Sequence, residues 1–418
     1  MIALRPVLAL RPVLATLFAL GLAACSAPPT EPPRLLEGLP RELTTGERKI
    51  IAAGNTFSLA LFRQINAAQR DSNVFISPLS ASMSLGMTLN GAANATYDSM
   101  RTTLGFGDAT QQEINEGYRS LIGLLRGLDP ATDFRIANSI WSRNGFPFEP
   151  SFFNAGRTYF DAEVRSLDFD DPAALNTING WVNRATDEKI PEILDEILPE
   201  HVMFLINAIY FKGNWQYTFD RAKTQDAPFM ALSGTARPVP LMHQRATLRH
   251  LQDARFQAVD LLYGNGAFAM TVILPTEGAD VNALVGSLND AEWARLLDGF
   301  RDKEVDLSLP KFKLEYERTM NDDLAALGMG IAFRPRVADF TRMSPIGREL
   351  YIAFVKQKTY VDVYEEGTEA AAVTVTGISP VVSAPVLVSM RVDRPFIFAI
   401  RERFSNTILF VGKIAGLE

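Results

Sequence analysis

The sequence is poor in the residues that usually form disulfides and metal sites. Among its 418 residues are one cysteine, Cys25, and three histidines, His201, His243 and His250. A single thiol cannot form an internal disulfide, so packing alone must stabilise the fold. The three histidines lack the spacing of a zinc site, and we therefore expect no metal ion and no cofactor.

The chain also lacks an excess of positive charge and a recognisable catalytic motif. Its net charge is −7, which disfavours a nucleic-acid partner. No Gly-x-Ser-x-Gly segment occurs, and no histidine has an evident serine partner, which argues against a lipoprotein hydrolase. What the chain does contain is 47% hydrophobic and 21% charged residues, enough to bury a large core.

The first 24 residues are typical of an export signal. Arg5 and Arg11 supply positive charge, and the apolar run 13–22 is too short to span a bilayer as a stable helix. The run ends in Leu-Ala-Ala-Cys, which resembles the lipobox of bacterial lipoproteins. We predict that residues 1–24 are a signal peptide and that Cys25 is lipidated. The alternative is an ordinary signal peptide with a chance cysteine.

The residues after Cys25 suggest where the chain is held. Ser26 stands in place of an aspartate, which in a Gram-negative host favours sorting to the outer membrane. We expect an exported protein, anchored to the membrane by its lipid and facing the periplasm or the cell exterior. Residues 26–40 contain five prolines, a density that suits an extended spacer. The predicted division is therefore a tether over 25–42 and one domain over 43–418.

Helical patterns dominate the first half of this domain and strand patterns the second. Apolar residues at helical spacing predict helices near 47–70, 78–90 and 175–188. Continuous or alternating apolar runs predict strands near 205–211, 268–274, 305–309 and 359–364, and a terminal hairpin over 394–400 and 407–414. This order favours an α+β fold over regular βαβ repeats.

The segment after the strand at 359–364 breaks the pattern. If it were extended, one face would carry Thr368, Ala370, Ala372, Thr374 and Thr376, all small and uncharged. Such a face can enter a sheet between two strands without a steric or desolvation penalty. Downstream, a glycine and two prolines within 377–385 favour an exposed loop.

Five motifs in consistent order resemble the serpin family over residues 47–416. The hinge of inhibitory serpins is similar to Glu365, Glu366, Gly367, Thr368, Glu369, Ala370, Ala371 and Ala372. The other matching stretches are Asn-Val-Phe-Ile-Ser-Pro-Leu-Ser at 73–80, Asn-Ala-Ile-Tyr-Phe-Lys-Gly-Asn-Trp at 207–215, Ala-Asp-Phe at 338–340 and Met-Arg-Val-Asp-Arg-Pro-Phe-Ile-Phe-Ala-Ile at 390–400.

The resemblance implies an α+β serpin fold of three β-sheets and eight to nine helices, with an exposed reactive-centre loop. It also implies a suicide-substrate inhibitor of serine endopeptidases. The target protease attacks the loop as a substrate and becomes acylated by it. The freed upstream segment then inserts into the central sheet and distorts the protease. The chain would have no catalytic residues of its own. The alternative is a non-inhibitory serpin fold used for binding or as a chaperone.

The family's usual spacing places the scissile bond fourteen residues after Gly367. This spacing predicts cleavage between Val381 and Val382, with Ile378 and Val382 as fallback positions for the residue before the cut. A mid-sized aliphatic residue fits the shallow pocket of an elastase-like protease, and papain-like cysteine proteases are a further candidate target. No lysine or arginine lies between residues 366 and 390, which disfavours a trypsin-like target.

The resemblance also assigns supporting residues. Ser77, Ser80 and Asn207 match the family's shutter, the polar residues beneath the strands that part, and Gln357 stands where the family usually has histidine. Ser77 and Ser80 also suit a helix start in their own right. Trp215 matches the breach tryptophan, and Lys311 the lysine that pairs with the hinge glutamate, here Glu365. The alternative for Lys311 is an unpaired surface lysine.

We expect no heparin activation and a monomer. In the region that matches the heparin-binding helix of vertebrate serpins, 111–128, the only basic residues are Arg119 and Arg126.

Overall fold

In the computed structural model, the described residues are 35–368 and 387–417. Cys25, the hinge residues from Glu369 onward, Val381 and Val382 lie outside them, so the predictions on these residues remain predictions.

Nine α-helices occur within the described residues, and their ends follow local capping chemistry. Thr44 and Thr110 begin two of them with capping boxes that include Glu47 and Glu113, and Ser77 caps a third before Pro78. The helices are α1 (Thr45–Ala68), α2 (Pro78–Leu89), α3 (Asn94–Thr103), α4 (Gln111–Arg126), α5 (Pro150–Phe160), α6 (Ala173–Ala185), α7 (Val281–Ser287), α8 (Asp290–Gly299) and α9 (Asn321–Leu324).

Fifteen strands are present in the same residues. They are β1 (Val74–Ile76), β2 (Asp133–Arg143), β3 (Ala162–Leu167), β4 (Met203–Asn214), β5 (Gln225–Met230), β6 (Ala236–Gln252), β7 (Phe256–Leu262), β8 (Phe268–Pro275), β9 (Arg301–Pro310), β10 (Phe312–Thr319), β11 (Lys356–Tyr364), β12 (Gly367–Thr368), β13 (Val388–Arg391), β14 (Phe396–Glu402) and β15 (Ile408–Ile414).

The sheet that positions the site has six strands in the order β10-β11-β12-β4-β2-β3. All neighbours are antiparallel except β2 and β3. On one face, Ile178, Trp181 and Val182 of α6 pack against Phe204 and Ile206 of β4. On the other face, α2 contacts β4 at the centre of the main core.

The remaining strands form a hydrogen-bonded path β1-β15-β14-β8-β7-β6-β9-β13, with β5 paired to β6. The long strand β6 pairs with β5 over 236–241, with β9 over 241–250 and with β7 only over its last four residues, 249–252, so it is shared by two sheets. With the six-stranded sheet this makes three, and the predicted α+β fold of three sheets and eight to nine helices is confirmed within the described residues.

The described part of the predicted tether lies against the domain. Leu36 donates its backbone N–H to the carbonyl oxygen of Asn265 at 2.7 Å and accepts a hydrogen bond from Arg403 at 2.7 Å. Arg41 makes a bidentate ion pair with Glu47 at the start of α1. Residues 35–42 therefore belong to the compact folded unit. None of the helices in residues 35–368 and 387–417 is long and apolar enough to cross a bilayer.

Candidate functional site

Two residues of the predicted hinge, Gly367 and Thr368, form a short strand inside the central sheet. Strand β11 ends at Tyr364, the chain turns at Glu365 and Glu366, and Gly367–Thr368 then run antiparallel between β11 and β4. Gly367 lies opposite Asn214, and Thr368 lies opposite Gly213. Among the described residues, no register pairs β4 directly with β11, so β12 separates the two strands at this end of the sheet.

The close approach of β12 to β4 requires a glycine. A Cβ atom on Gly367 would lie 2.2 Å from the carbonyl oxygen of Gly213 and 2.7 Å from the Cα of Asn214. Both of these are backbone atoms of a paired strand, so they cannot turn aside as a flexible side chain would. Steric contact across the sheet therefore requires a glycine at position 367.

Trp215, predicted as the breach tryptophan, contacts the turn and the strand that follows it. Its indole Nε1 donates to the carbonyl oxygen of Tyr364 at 2.9 Å, and its backbone N–H donates to that of Glu366 at 2.8 Å. The indole stacks on Tyr263 with 4.4 Å between ring centroids. The Tyr263 hydroxyl lies 2.7 Å from Oγ1 of the buried Thr368, so the same aromatic pair contacts both the turn and the strand.

The two hinge carboxylates are buried and each has a cationic partner. Glu365 pairs with Lys311 at 2.8 Å, as the resemblance implied, and accepts a hydrogen bond from Thr224 at 2.8 Å. Burial raises the pKa of Glu365, but the hydrogen bonds from Lys311 and Thr224 outweigh this effect, and the net pKa is below its ordinary value. Glu366 pairs with Arg221, whose side chain is largely exposed.

The predicted shutter residues lie between α2, β4 and β11, and Gln357 joins β11 to the start of α2. Its side-chain oxygen accepts from the backbone N–H of Ser77 at 2.9 Å, and its side-chain nitrogen donates to the Ser77 carbonyl oxygen at 2.8 Å. The Ser77 hydroxyl donates to the carbonyl oxygen of Leu409 at 2.8 Å. Glutamine thus fills this buried position with one donor and one acceptor, neither of which titrates.

Strand β4 is attached to the same helix from the other side. The Ser80 hydroxyl donates to the backbone carbonyl oxygen of Asn207 at 3.2 Å. The Asn207 side chain instead faces β2, where it donates to Oδ1 of the buried Asn138 at 2.6 Å. The structure therefore brings Ser77, Ser80 and Gln357 together, and connects Asn207 to them through its backbone.

A cavity of 230 Å³ lies where α2, β4 and β11 meet. It is lined by all four predicted shutter residues, together with apolar side chains that include Leu85, Val182 and Phe354. The two hydrogen-bonded attachments to α2 therefore border the space between the strands that would have to part for a new strand to enter.

Sequence reasoning missed several residues of this site. Asn138, Arg221, Thr224 and Tyr263 all contact a predicted site residue, but they lie on other elements. The one sequence signal was Asn138, a polar residue at an apolar position of the run Phe-Arg-Ile-Ala-Asn-Ser-Ile-Trp at 134–141. The other three depend on contacts that strand pairing creates.

Comparisons with known proteins agree with this geometry. Residues 52–416 match the family model described as serpin (serine protease inhibitor). The human leukocyte elastase inhibitor is 31% identical over 381 residues, which cover 88% of this chain and 99% of that protein.

Two solved structures extend the likeness to three dimensions. The thermophilic serpin tengpin in its native state is similar, with a TM-score of 0.81 and 32% identity over 93% of this chain and 98% of that one. Human thyroxine-binding globulin complexed with thyroxine has a TM-score of 0.80 and 28% identity, over 89% of this chain and 100% of that one. With the family model covering most of the sequence and the fold covering nearly all of it, this chain belongs to the serpin family.

Proposed function

We propose that this protein is a suicide-substrate inhibitor that traps serine endopeptidases covalently. The observation that carries the proposal is the position of Gly367 and Thr368. These two hinge residues already pair with β4 and β11, at the point where an inserted strand would begin. An inserting segment would therefore extend an existing strand, without having to nucleate a new one.

The sequence that follows suits such an extension. Thr368 directs its hydroxyl toward Tyr263 and the core, so Ala370, Ala372 and Thr374 would face the same side if β12 continued. These side chains are small and carry no charge. Insertion would add backbone hydrogen bonds to both neighbouring strands and bury more surface, which makes the uncleaved protein metastable.

The trapping reaction would use the nucleophile of the target. The protease's serine attacks the carbonyl carbon of Val381, the amine of Val382 leaves, and the protease stays esterified to the new carboxyl end. Insertion then competes with hydrolysis of this ester. The protein would contribute no catalytic group, in keeping with a family of inhibitors.

We propose an elastase-like target. Val381 is an aliphatic residue of moderate size, and the loop has no basic residue that a trypsin-like pocket would require. Similarity to a leukocyte elastase inhibitor supports this choice. A papain-like cysteine protease, which forms the equivalent thioester, is the second candidate target.

A panel of an elastase, a chymotrypsin, a trypsin and papain tests the proposal. We expect an SDS-resistant complex with the elastase and release of a peptide that begins at Val382, identified by mass spectrometry. Cleavage by every protease without any complex would overturn the inhibitor proposal. A complex with trypsin alone would overturn only the predicted specificity.

A non-inhibitory role is the alternative, and the similarity to thyroxine-binding globulin is the observation that favours it. The two proposals differ in the effect of cleavage. An inhibitor should gain heat resistance when its loop is cut, because the loop inserts, whereas a binding protein that does not insert its loop should not. Melting temperatures before and after cleavage near Val381 distinguish them.

We further propose that Cys25 is lipidated and anchors an exported monomer to a bacterial outer membrane, facing the periplasm or the cell exterior. We also propose that heparin does not activate it, since Arg126 on α4 is already paired with Asp161 at 2.7 Å. Incorporation of a labelled fatty acid into the wild-type chain, and its loss in Cys25→Ser, tests the anchor. Fractionation of the cells and protease shaving then test the location.

A further inference from the structure

A closed loop, residues 332–352, follows α9 and packs on the domain through buried residues such as Ala338 and Phe340. The backbone N–H of Ile352 donates to the carbonyl oxygen of Ala332 at 2.9 Å and closes it. In its middle, the N–H of Phe340 donates to the carbonyl oxygen of Gly347 at 3.0 Å. These two bonds hold residues 332–352 as an irregular hairpin and fix the positions of its turns. We call these residues the basic loop.

The basic loop exposes apolar side chains to an unusual degree. Val337 is 51% exposed, more than any other large apolar side chain in the described residues, and Ile346 and Tyr351 are each 41% exposed. Beside Val337, the backbone of Arg336 is in the left-handed region, with φ at 63°. A residue with a side chain adopts this conformation at an energetic cost, which often marks a functional segment.

The same loop also carries positive charge. Arg334, Arg336 and Arg342 are exposed, while Arg348 pairs with the buried Asp339 at 3.2 Å. Arg342 also lies over the ring of Tyr97 on α3, at 5.0 Å from its centroid. Glu349 is the exposed acidic residue of the basic loop. The net charge of the whole chain is −7, whereas this loop has more basic than acidic residues.

We propose that the basic loop docks on the surface of an anionic phospholipid membrane. Arginines would contact the headgroup phosphates, while Val337 and Ile346 would enter the interface and Tyr351 would lie at headgroup level. A soluble polyanion would pair with the arginines but would leave the apolar side chains in water. The presence of both arginines and exposed apolar side chains in one loop therefore favours a membrane.

The proposal rests on the proposed function in one respect, the membrane anchor. Residues 25–34 separate the proposed lipid on Cys25 from Leu35, and ten residues can reach at most about 36 Å. The domain would thus stay within reach of the bilayer. The loop would fix the orientation of the domain on that surface.

Sedimentation with vesicles tests the proposal without the anchor. The chain 26–418 lacks Cys25 and the leader and retains all of the described residues of the compact unit. We expect it to bind vesicles of 30% phosphatidylglycerol at low salt and to bind phosphatidylcholine vesicles far more weakly. The triple variant Arg334→Ala, Arg336→Ala, Arg342→Ala should lose about fivefold in affinity per arginine, or roughly a hundredfold in all.

A matched triple variant, Arg119→Ala, Arg157→Ala, Arg237→Ala, removes the same charge from exposed positions elsewhere and should bind nearly as the wild type. A fluorophore on Val337→Cys should shift to the blue on anionic vesicles, whereas one on Ser233→Cys, in another exposed turn, should not. Equal loss of binding in both triple variants would overturn the proposal, because it would mean non-specific charge attraction.

Two further outcomes would also overturn it. One is absence of vesicle binding by the folded wild-type chain. The other is heparin binding that depends on the three arginines, with no shift of the Val337→Cys fluorophore on vesicles, since this would identify a soluble polyanion as the ligand. These results are independent of whether Cys25 carries a lipid and of whether a protease is trapped.

Discussion

The substitution Gly367→Ala should convert the inhibitor into a substrate. The added Cβ would lie 2.2 Å from the carbonyl oxygen of Gly213, whereas real Cβ atoms essentially never come closer than 3.0 Å. Strands β12 and β4 would therefore have to separate by about 0.8 Å at this point, which breaks their good hydrogen-bond geometry. Overpacking of this kind costs about 1–3 kcal/mol.

This cost acts on insertion of the loop, the step that decides whether the protease is trapped or released. The clash would push β12 out of the sheet before cleavage, so insertion would first have to drive the substituted residue back between β4 and β11. A barrier raised by the same cost slows insertion about 5- to 150-fold. Hydrolysis of the ester between protease and inhibitor is a property of the protease and should keep its rate. A reaction that mostly yields the trapped complex should then mostly yield cleaved, released protein.

The assay is a titration of the trapped protease, followed by electrophoresis under denaturing conditions. It gives the moles of inhibitor consumed per mole of protease inactivated and the fraction of chains in complex. Gly286→Ala is the matched control, because its Cβ would meet nothing within 4 Å. If Gly367→Ala traps protease with the wild-type stoichiometry and rate, the steric argument and the insertion point assigned to β12 are both wrong.

Three further predictions follow from the site and its supports. Ala372→Arg should abolish trapping, because the charge would enter the core side of an extended β12. Ala371→Arg, on the opposite face, should still trap part of the protease. If both variants reduce the fraction of chains in complex equally, the assigned face is wrong. Gln357→His should make the melting temperature fall between pH 8 and pH 5 relative to wild type, because a protonated imidazole cannot accept from the Ser77 N–H; an unchanged pH profile would refute this. The pKa of Glu47 is lowered to about 2, chiefly by its hydrogen bonds with Arg41, so its contribution is present above its ordinary pKa of 4.5 and is lost as the pH falls toward 2. Glu47→Gln should therefore lower the free energy of unfolding by up to about 3 kcal/mol at pH 7, and by nearly nothing at pH 2, as measured by urea unfolding. Solvent screening of the half-exposed Arg41 reduces the loss at pH 7.

Much of the architecture could be predicted from local patterns. The helix expected over 47–70 occupies 45–68, and the one expected over 78–90 occupies 78–89, because apolar spacing and a Ser-Pro start act within a few residues. The strands expected near 205–211 and 268–274 are likewise present, each a residue or more longer. Local sequence is therefore enough to predict where these elements lie, although tertiary packing stabilises them.

The tether shows where local patterns stop being sufficient. A proline-rich composition predicts an extended chain, and nothing in it indicates that Leu36 finds a partner at Asn265 and Arg403. Such partners lie hundreds of residues away in the sequence. Only the assembled domain brings the two surfaces together.

The sequence by itself determined the character of the hinge: a glycine, then small residues on alternate positions, with no charge on one face. Only the tertiary structure decided what these properties are used for. Paired strands lie less than 5 Å apart, so the position of one strand between two others sets which atoms touch. It is this spacing that places Gly367 against the Gly213 carbonyl oxygen and sets Thr368 beside the Tyr263 hydroxyl, while the packing of α2 on the sheet lets Gln357 bond both backbone groups of Ser77.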